Sequence, residues 1–517
     1  MLDRLFKYKV HPFLQFMGLA VLAIGLPMNK VLMSIGTIWL ASNLVLKADL
    51  KGYWENWKSN WIFWFIVSLL VLHGLGLSYT SDFQYGFRDI NTKLPLFVIP
   101  IAVIAFPIKK SWLTYIFYFY LASICITTSI NLITDWSNPQ ADFRHVSLFG
   151  SHIRYTILVV TGVLVSLHLF QINYKLRLLW IIIIGWLLFY VYQSQVFSGY
   201  VSLLLLIIAS ILYSILVIRS KNVKYVLLTF AVLLVASTIF LGIRFFNSPP
   251  NQNDFSELPE LTPRGNTYIH DTNFIWYENG NHVMSFIAEE ELKKAWAERS
   301  SINYDAKDQN GHKVKSTLIR YMSSKGIRKD LDGMKEMSAK DIRNVEEGYT
   351  NINQLSRSPL SRIENLRNDI NLFKRTGNPN GSSITERLEH YKIGKSIARD
   401  NWIVGVGTGD VQMTFNMYYE QTKSKLDKKN WNRAHNQFLT FWITFGVLGF
   451  SLFVLFWFYM LKMSIKNLSL LSLGFVFIAV GSFISEDTLE TQQGVTFAAF
   501  FIALSYLSTY KGKANLK

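Results

Sequence analysis

Residues 431–452 read WNRAHNQFLTFWITFGVLGFSL. A polar cluster there runs straight into an apolar stretch that, with the residues after it, is long enough to cross a bilayer. The junction sets a basic residue, Arg433, and an ionisable one, His435, at the water edge. Histidine changes charge near neutral pH, so a proton acceptor stands where a membrane-borne substrate would expose its polar head. On position alone an interfacial anchor explains such a histidine more simply, and the surrounding chain has to decide between the two.

The composition sets the class. Of 517 residues, 50% are hydrophobic, 15% aromatic and 17% charged, which is too apolar for an ordinary soluble domain. The net charge of +17 does not point to nucleic acid, because the Lys and Arg fall between apolar runs rather than along one face. The one cysteine, Cys125, excludes an intramolecular disulfide or a cysteine-based metal cluster. The N-terminus MLDRLFKYKV is basic and leads into an apolar run with no small-residue cleavage site, the pattern of a retained helix.

Apolar runs near 11–28, 30–46, 60–79, 94–107, 112–133, 155–172, 178–196, 200–218, 224–243, 436–461, 467–484 and 494–509 give about twelve expected transmembrane helices. Run 94–107 is short and holds Pro95, Pro100 and Pro107, so a broken or tilted helix is expected there. Trp54, Trp57, Trp61, Trp112 and Trp180 cluster near run ends, as in an interfacial belt. With the N-terminus inside, eighteen Lys and Arg fall on inner segments against five on the short outer ones (Lys30, Arg88, Lys93, Arg144 and Arg154). That bias predicts both termini in the cytoplasm. The expected class is an all-α, multi-pass integral membrane protein of the inner membrane, with one large, mostly helical external loop domain. Three parts follow: residues 1–243 with spans one to nine, 244–434 outside, and 435–517 with spans ten to twelve and a cytoplasmic tail.

The external region carries twenty-nine Lys and Arg and twenty-five Asp and Glu, so it is mixed in charge rather than a basic arm. Its opening, NSPPNQNDFSELPELTPRGN, reads as loop, and helices are expected over SFIAEEELKKAWAERS and from about Ala339 to Phe373. After GNPNGSS, residues Ile384, Leu388, Tyr391, Ile393 and Ile397 recur at roughly helical spacing, which predicts an amphipathic helix near the membrane surface. The turn DNWIVGVGTGDV places Gly405, Gly407 and Gly409 at alternate positions. Such glycines let backbone N–H groups approach an anion, although a tight turn without a ligand fits these residues equally well. Arginines at 88, 144, 154, 387 and 433 gather on the same side, and the guanidinium fork suits a phosphate. Snorkelling to lipid headgroups accounts for any one of them.

These ordered pieces resemble the O-antigen ligase and polymerase family of integral-membrane glycosyltransferases: Arg387 in ERLEHYKIGKSIA, then GVGTG at 405–409, then AHNQFLTFWITFGVLG at 434–449. The resemblance implies that His435 is the catalytic base and that Arg387 contacts the phosphates of a polyprenyl-pyrophosphate-linked glycan donor. Arg154, Arg88, Arg433, Asn436, Gly405, Gly407 and Gly409 are the further expected substrate contacts. The acceptor would be a hydroxyl of a lipid A-core, another lipid-linked glycan or a similar partner, with membrane lipids around it and no nucleic acid. The chain departs from the family at VFSGY, where Ser198 and Gly199 stand without the expected arginine, and residues from about 250 to 375 read as an insertion.

The external motifs show no DxD pair or ligand-spaced His/Asp cluster, so transfer without metal or other cofactor is expected. A surface polysaccharide polymerase of the same family is the alternative. A polysaccharide exporter, from another class, would call for charged groups inside several spans, and these are scarce here.

Overall fold

The computed structural model describes residues 10–137, 147–247, 258–273, 276–354 and 359–510. Arg144 lies outside these residues. In chain order the helices are α1 (His11–Met28), α2 (Lys30–Lys47), α3 (Leu50–Lys58), α4 (Trp61–Leu77), α5 (Phe83–Ala105), α6 (Lys110–Ser137), α7 (His152–Ile172), α8 (Arg177–Ser194), α9 (Phe197–Val217) and α10 (Lys221–Asn247). A two-stranded hairpin, β1 (Tyr277–Glu278) and β2 (Asn281–His282), comes next, then α11 (Glu289–Ala297), α12 (Val314–Ser324), α13 (Leu331–Glu336), α14 (Ala339–Glu346) and α15 (Pro359–Thr376). The chain continues with α16 (Ser383–Asp400), α17 (Val411–Gln421), α18 (Gln437–Lys466), α19 (Leu470–Ser485) and α20 (Gln492–Thr509).

A helix stands at each of the twelve expected apolar runs. Among the described residues seven helices are long and apolar enough to cross a membrane, or eight if α2 and α3, bent by 117°, count as one broken span. The chain is a multi-pass membrane protein; α4 and α19, at 17 and 16 residues, fall short of a full span by length. The proline-rich run 94–107 is not a separate short helix. It is the second half of α5, 23 residues long, which starts in the polar stretch at Phe83 and carries Pro95 and Pro100 inside it. Its last carbonyls are satisfied by side chains: Trp57 Nε1 donates to Ile101 O (3.0 Å), Gln15 Nε2 to Ala102 O (3.0 Å) and Asn56 Nδ2 to Ala105 O (2.8 Å). The last carbonyls of a helix have no intrahelical partner, and these side chains supply one.

The chain divides into two compact units, Met1–Leu234 with Glu386–Lys517, and Val235–Thr385. The expected external region 244–434 is thus split: its last part, from Glu386, packs with the membrane helices, and only the portion before it forms a unit of its own. In the first unit one continuous core runs through α1, α5, α6, α7, α18, α19 and α20, from Leu19 and Leu22 to Phe500 and Leu504. The second unit buries Trp296, Leu292, Val314, Leu318, Met322, Ile342 and Val345. There Ser338 and Asp341 form a reciprocal capping box at the start of α14. The helix expected from Ala339 to Phe373 is broken instead: the chain turns through Gly348 at φ +88° and resumes at Pro359.

Candidate functional site

The site is built from four pieces of the first unit: the start of α5, the start of α7, helix α16, and the segment 431–440 with the loop 485–491 that faces it. The loop, SEDTLET, leaves α19 with three carboxylates, and each takes a different load. Glu490, 9% exposed at its side chain, accepts from Arg433 Nη1 (2.5 Å), Lys93 Nζ (2.9 Å) and Gln437 Nε2 (3.0 Å), while Lys93 also pairs with Asp89 one turn earlier on α5 (2.6 Å). Burial would raise the Glu490 carboxyl, but Lys93 and Arg433 hold it well below the usual carboxylate range. Asp487 accepts the His435 amide (3.0 Å) at one oxygen and the Thr440 hydroxyl (2.7 Å) at the other. Glu486, only 4% exposed at its side chain, pairs with Arg387 from α16 and with Arg154 from the first turn of α7 (3.5 Å).

His435 sits at the centre of this arrangement. Its backbone is left-handed, φ +48°, which a non-glycine residue adopts at a cost of about 1–3 kcal/mol and keeps only when its surroundings hold it. Asp487 holds the amide. On the next residue, Asn436 caps α18 by accepting from Leu439 N (2.9 Å) and donates Nδ2 to Ile484 O (3.0 Å). The His435 ring is left free to act: Nδ1 is buried with no hydrogen-bond partner. Arg154 Nε is another unpartnered buried donor. Unsatisfied polar atoms of this kind are rare in folded proteins and call for an explanation.

A second histidine, His390 of α16, lies with its ring centroid 5.4 Å from that of His435. It is 2% exposed, and its Nδ1 is 2.6 Å from the Tyr419 hydroxyl. Tyr419 donates its one hydrogen to Asn432 O (3.0 Å), so the bond from His390 must be an Nδ1–H donation, which leaves Nε2 as the bare nitrogen. Burial, with the nearby His435 and Arg387, lowers His390 to about 3, so this ring is neutral at physiological pH.

The expected contacts fall into three groups. His435, Arg387 and Arg154 are brought together around Glu486 and Asp487. Arg433 and Asn436 are adjacent, but their polar groups serve the scaffold: Arg433, 11% exposed at its side chain, lies in the cluster with Glu490, over the Tyr85 ring at 5.2 Å, and Asn436 is the helix cap. Arg88 is exposed and, among the described residues, forms no ion pair. The glycine turn departs from its anion-cradle expectation. Its successive amides all donate within the protein: Gly405 to Asn401 O (3.0 Å), Val406 to Ile443 O (2.8 Å), Gly407 to Thr444 O (3.0 Å), Thr408 to Gly76 O (3.2 Å) and Gly409 to the Thr80 hydroxyl (2.8 Å).

What the turn does instead is fill a break in α18. Gly446, at φ +62°, interrupts that helix; the carbonyls of Ile443 and Thr444 accept from the turn, and Val447 N donates to Trp402 O (2.8 Å). The approach is so close that a Cβ on Gly405 would lie 2.5 Å from Thr444 O, and one on Gly446 2.0 Å from Ile403 O.

Residues 352–454 match the family model described as O-antigen ligase. This stretch belongs to the O-antigen ligase family. The matched segment carries Arg387, the glycine turn, Arg433, His435 and Asn436, whereas Arg154 and the 485–491 loop come to the O-antigen ligase segment from outside it. No curated protein matches the chain.

Sequence reading missed His390, Glu486, Asp487, Glu490 and the Asp89–Lys93 pair. The available signal was electrostatic: carboxylates between two apolar helices, on the side where unpaired arginines gather, need cationic partners. The amphipathic stripe of α16 also differs, since Leu388 is 41% exposed and the inward face holds Thr385, Glu389, His390, Ile393 and Ile397.

Proposed function

We propose that the protein is an inner-membrane, O-antigen ligase-type glycosyltransferase that moves a glycan from a polyprenyl-pyrophosphate donor to a hydroxyl of a lipid A-core or similar acceptor on the external face. The observation that carries the reading is the meeting of an unpartnered His435 ring with two arginines from distant helices, Arg154 and Arg387, around adjacent residues of one loop. The acceptor hydroxyl gives its proton to His435 as its oxygen bonds to the sugar's anomeric carbon. The bond from that carbon to the pyrophosphate oxygen breaks, and the lipid pyrophosphate leaves with the electron pair. Each guanidinium has five N–H donors, so pairing with Glu486 leaves donors for the leaving phosphates. Proton acceptance is worth about 10²–10⁴-fold in rate, and the arginines add electrostatic stabilisation of the departing charge. Because these cations neutralise the charge, the proposed transfer is metal-independent: treatment with a chelator should leave activity unchanged, and loss restored by divalent ions would count against it.

The test is His435→Ala in a strain lacking its own copy, with surface glycan read on a gel and membrane protein level by immunoblot. Normal protein with free lipid A-core and accumulated lipid-linked polymer identifies a ligase. Single repeat units without chain growth identify the polymerase of the same family. An unchanged glycan pattern returns His435 to the role of an interfacial anchor.

A further inference from the structure

The second unit holds a small, partly open cleft of about 100 Å³. One wall is α15, whose Glu364, Arg367, Asn368, Asn371, Leu372 and Arg375 all line the cleft. They stand at successive offsets of three, one, three, one and three residues, which is one continuous helical stripe. The apolar residues Ile363, Leu366, Ile370 and Phe373 recur on a different stripe, and Leu366 is buried there at 7% exposure. The polar stripe is therefore not the helix's core-packing face. The opposite wall is the β1–β2 hairpin, whose Asn279 (φ +50°) and Gly280 (φ +87°) form the two-residue left-handed turn that an Asn-Gly pair favours.

The hairpin side brings Trp276 and Tyr277 to the cleft. Each ring already has a guanidinium over it, Arg320 at 4.8 Å from the Trp276 centroid and Arg375 at 5.3 Å from that of Tyr277, so the aromatic platform is fixed in place. Within the cleft wall, Asn368 Nδ2 is buried and has no hydrogen-bond partner. A buried amide left this way is uncommon and calls for a partner.

We propose that this cleft binds a short saccharide. Flat aromatic area suits a ligand with an apolar C–H face. Side-chain amides, guanidinium groups and a carboxylate together suit a dense ring of hydroxyls, which both donate and accept. A bare phosphate would meet Glu364 beside the arginines and leave the amides unused, and an apolar ligand would strand them. That the saccharide is the glycan being transferred rests on the function proposed above; the saccharide chemistry of the cleft does not.

The test uses the full chain in detergent micelles, titrated by calorimetry with surface glycan of the producing cells, freed from its lipid by mild acid. Wild type and His435→Ala should bind alike, because the catalytic base is not part of the cleft. The double variant Asn371→Ala with Arg375→Ala should bind about tenfold more weakly or worse. Should that variant fail to give a wild-type melting curve, Leu372→Trp, which fills the cleft from a 37% exposed position, decides in its place. No binding by wild type, or binding unaffected by the cleft variant, overturns the proposal. Equal affinity for an unrelated dextran overturns the assignment to the transferred glycan. Unchanged glycan transfer in His435→Ala cells would sink the function proposed above while leaving the calorimetric result to stand by itself.

Discussion

The glycine turn at 405–409 and the His-Asn segment at 435–436 belong to the same matched stretch and both meet α18, yet the structure gives them opposite roles. In the turn every amide has an acceptor in the protein, and the glycines are required because backbone passes against backbone: Gly405 against Thr444 at the break in α18, Gly407 against Gly76 and Gly409 against Asp82. At His435 the protein holds the main chain through Asp487 and leaves the ring nitrogen Nδ1 without a partner. Polar groups that a fold satisfies internally serve the scaffold; those it builds around and leaves open are the ones available for chemistry.

The sharpest way to break this contrast is to remove both kinds of residue and compare activity per folded molecule. His435→Ala should reduce transfer by about 10²–10⁴-fold at normal protein level. Retained transfer would erase the distinction. Arg387→Ala should follow, at about 10²-fold, by analogy with the loss of a single transition-state donor. Arg387→Lys should recover only part of it, since an ammonium lacks the planar fork; full rescue would mean that charge alone is needed.

Gly405→Ala tests the other side. At φ +77° with backbone atoms 2.5 Å from the added Cβ, the variant should lose about 1–3 kcal/mol or more and show lower membrane level and melting temperature. Activity per folded molecule should stay near wild type; a selective loss of donor affinity with normal stability would restore the anion-cradle reading.

The smallest effect concerns His390. Its folded value of about 3 lies below the ordinary histidine value of about 6.5, so the folded state refuses a proton that the unfolded chain accepts between those limits. Its contribution to stability is therefore complete above about pH 6.5 and declines as pH falls toward 3. The melting temperature in detergent should drop through that window, and His390→Gln should flatten part of the slope even if its baseline is lower. An unchanged slope would show that His390 does not titrate as its burial demands.

Local chemistry made much of this protein legible. Apolar runs of bilayer length placed a helix at each expected position, because in lipid the backbone has almost no other way to satisfy itself. The His-Asn junction and Arg387 were readable as ordered motifs in one stretch of chain. The start of α5 was not, since a helix can begin in polar sequence well before its apolar half when side chains and ion pairs hold that end. The role of the glycines was also hidden: φ > 0 is visible in a sequence as a preference, but whether an amide meets an anion or a carbonyl depends on what packs opposite.

The sequence alone therefore determined the class of the protein and singled out the histidine at the head of an apolar run, both consequences of composition and spacing along one segment. Only the tertiary structure decided which charges meet. Glu486 lies 99 residues from Arg387, and Glu490 lies 397 from Lys93, so no local rule pairs them. They meet because buried ionic groups must find opposite charges, and the packing of α5, α7, α16 and α19 determines which partners lie within reach.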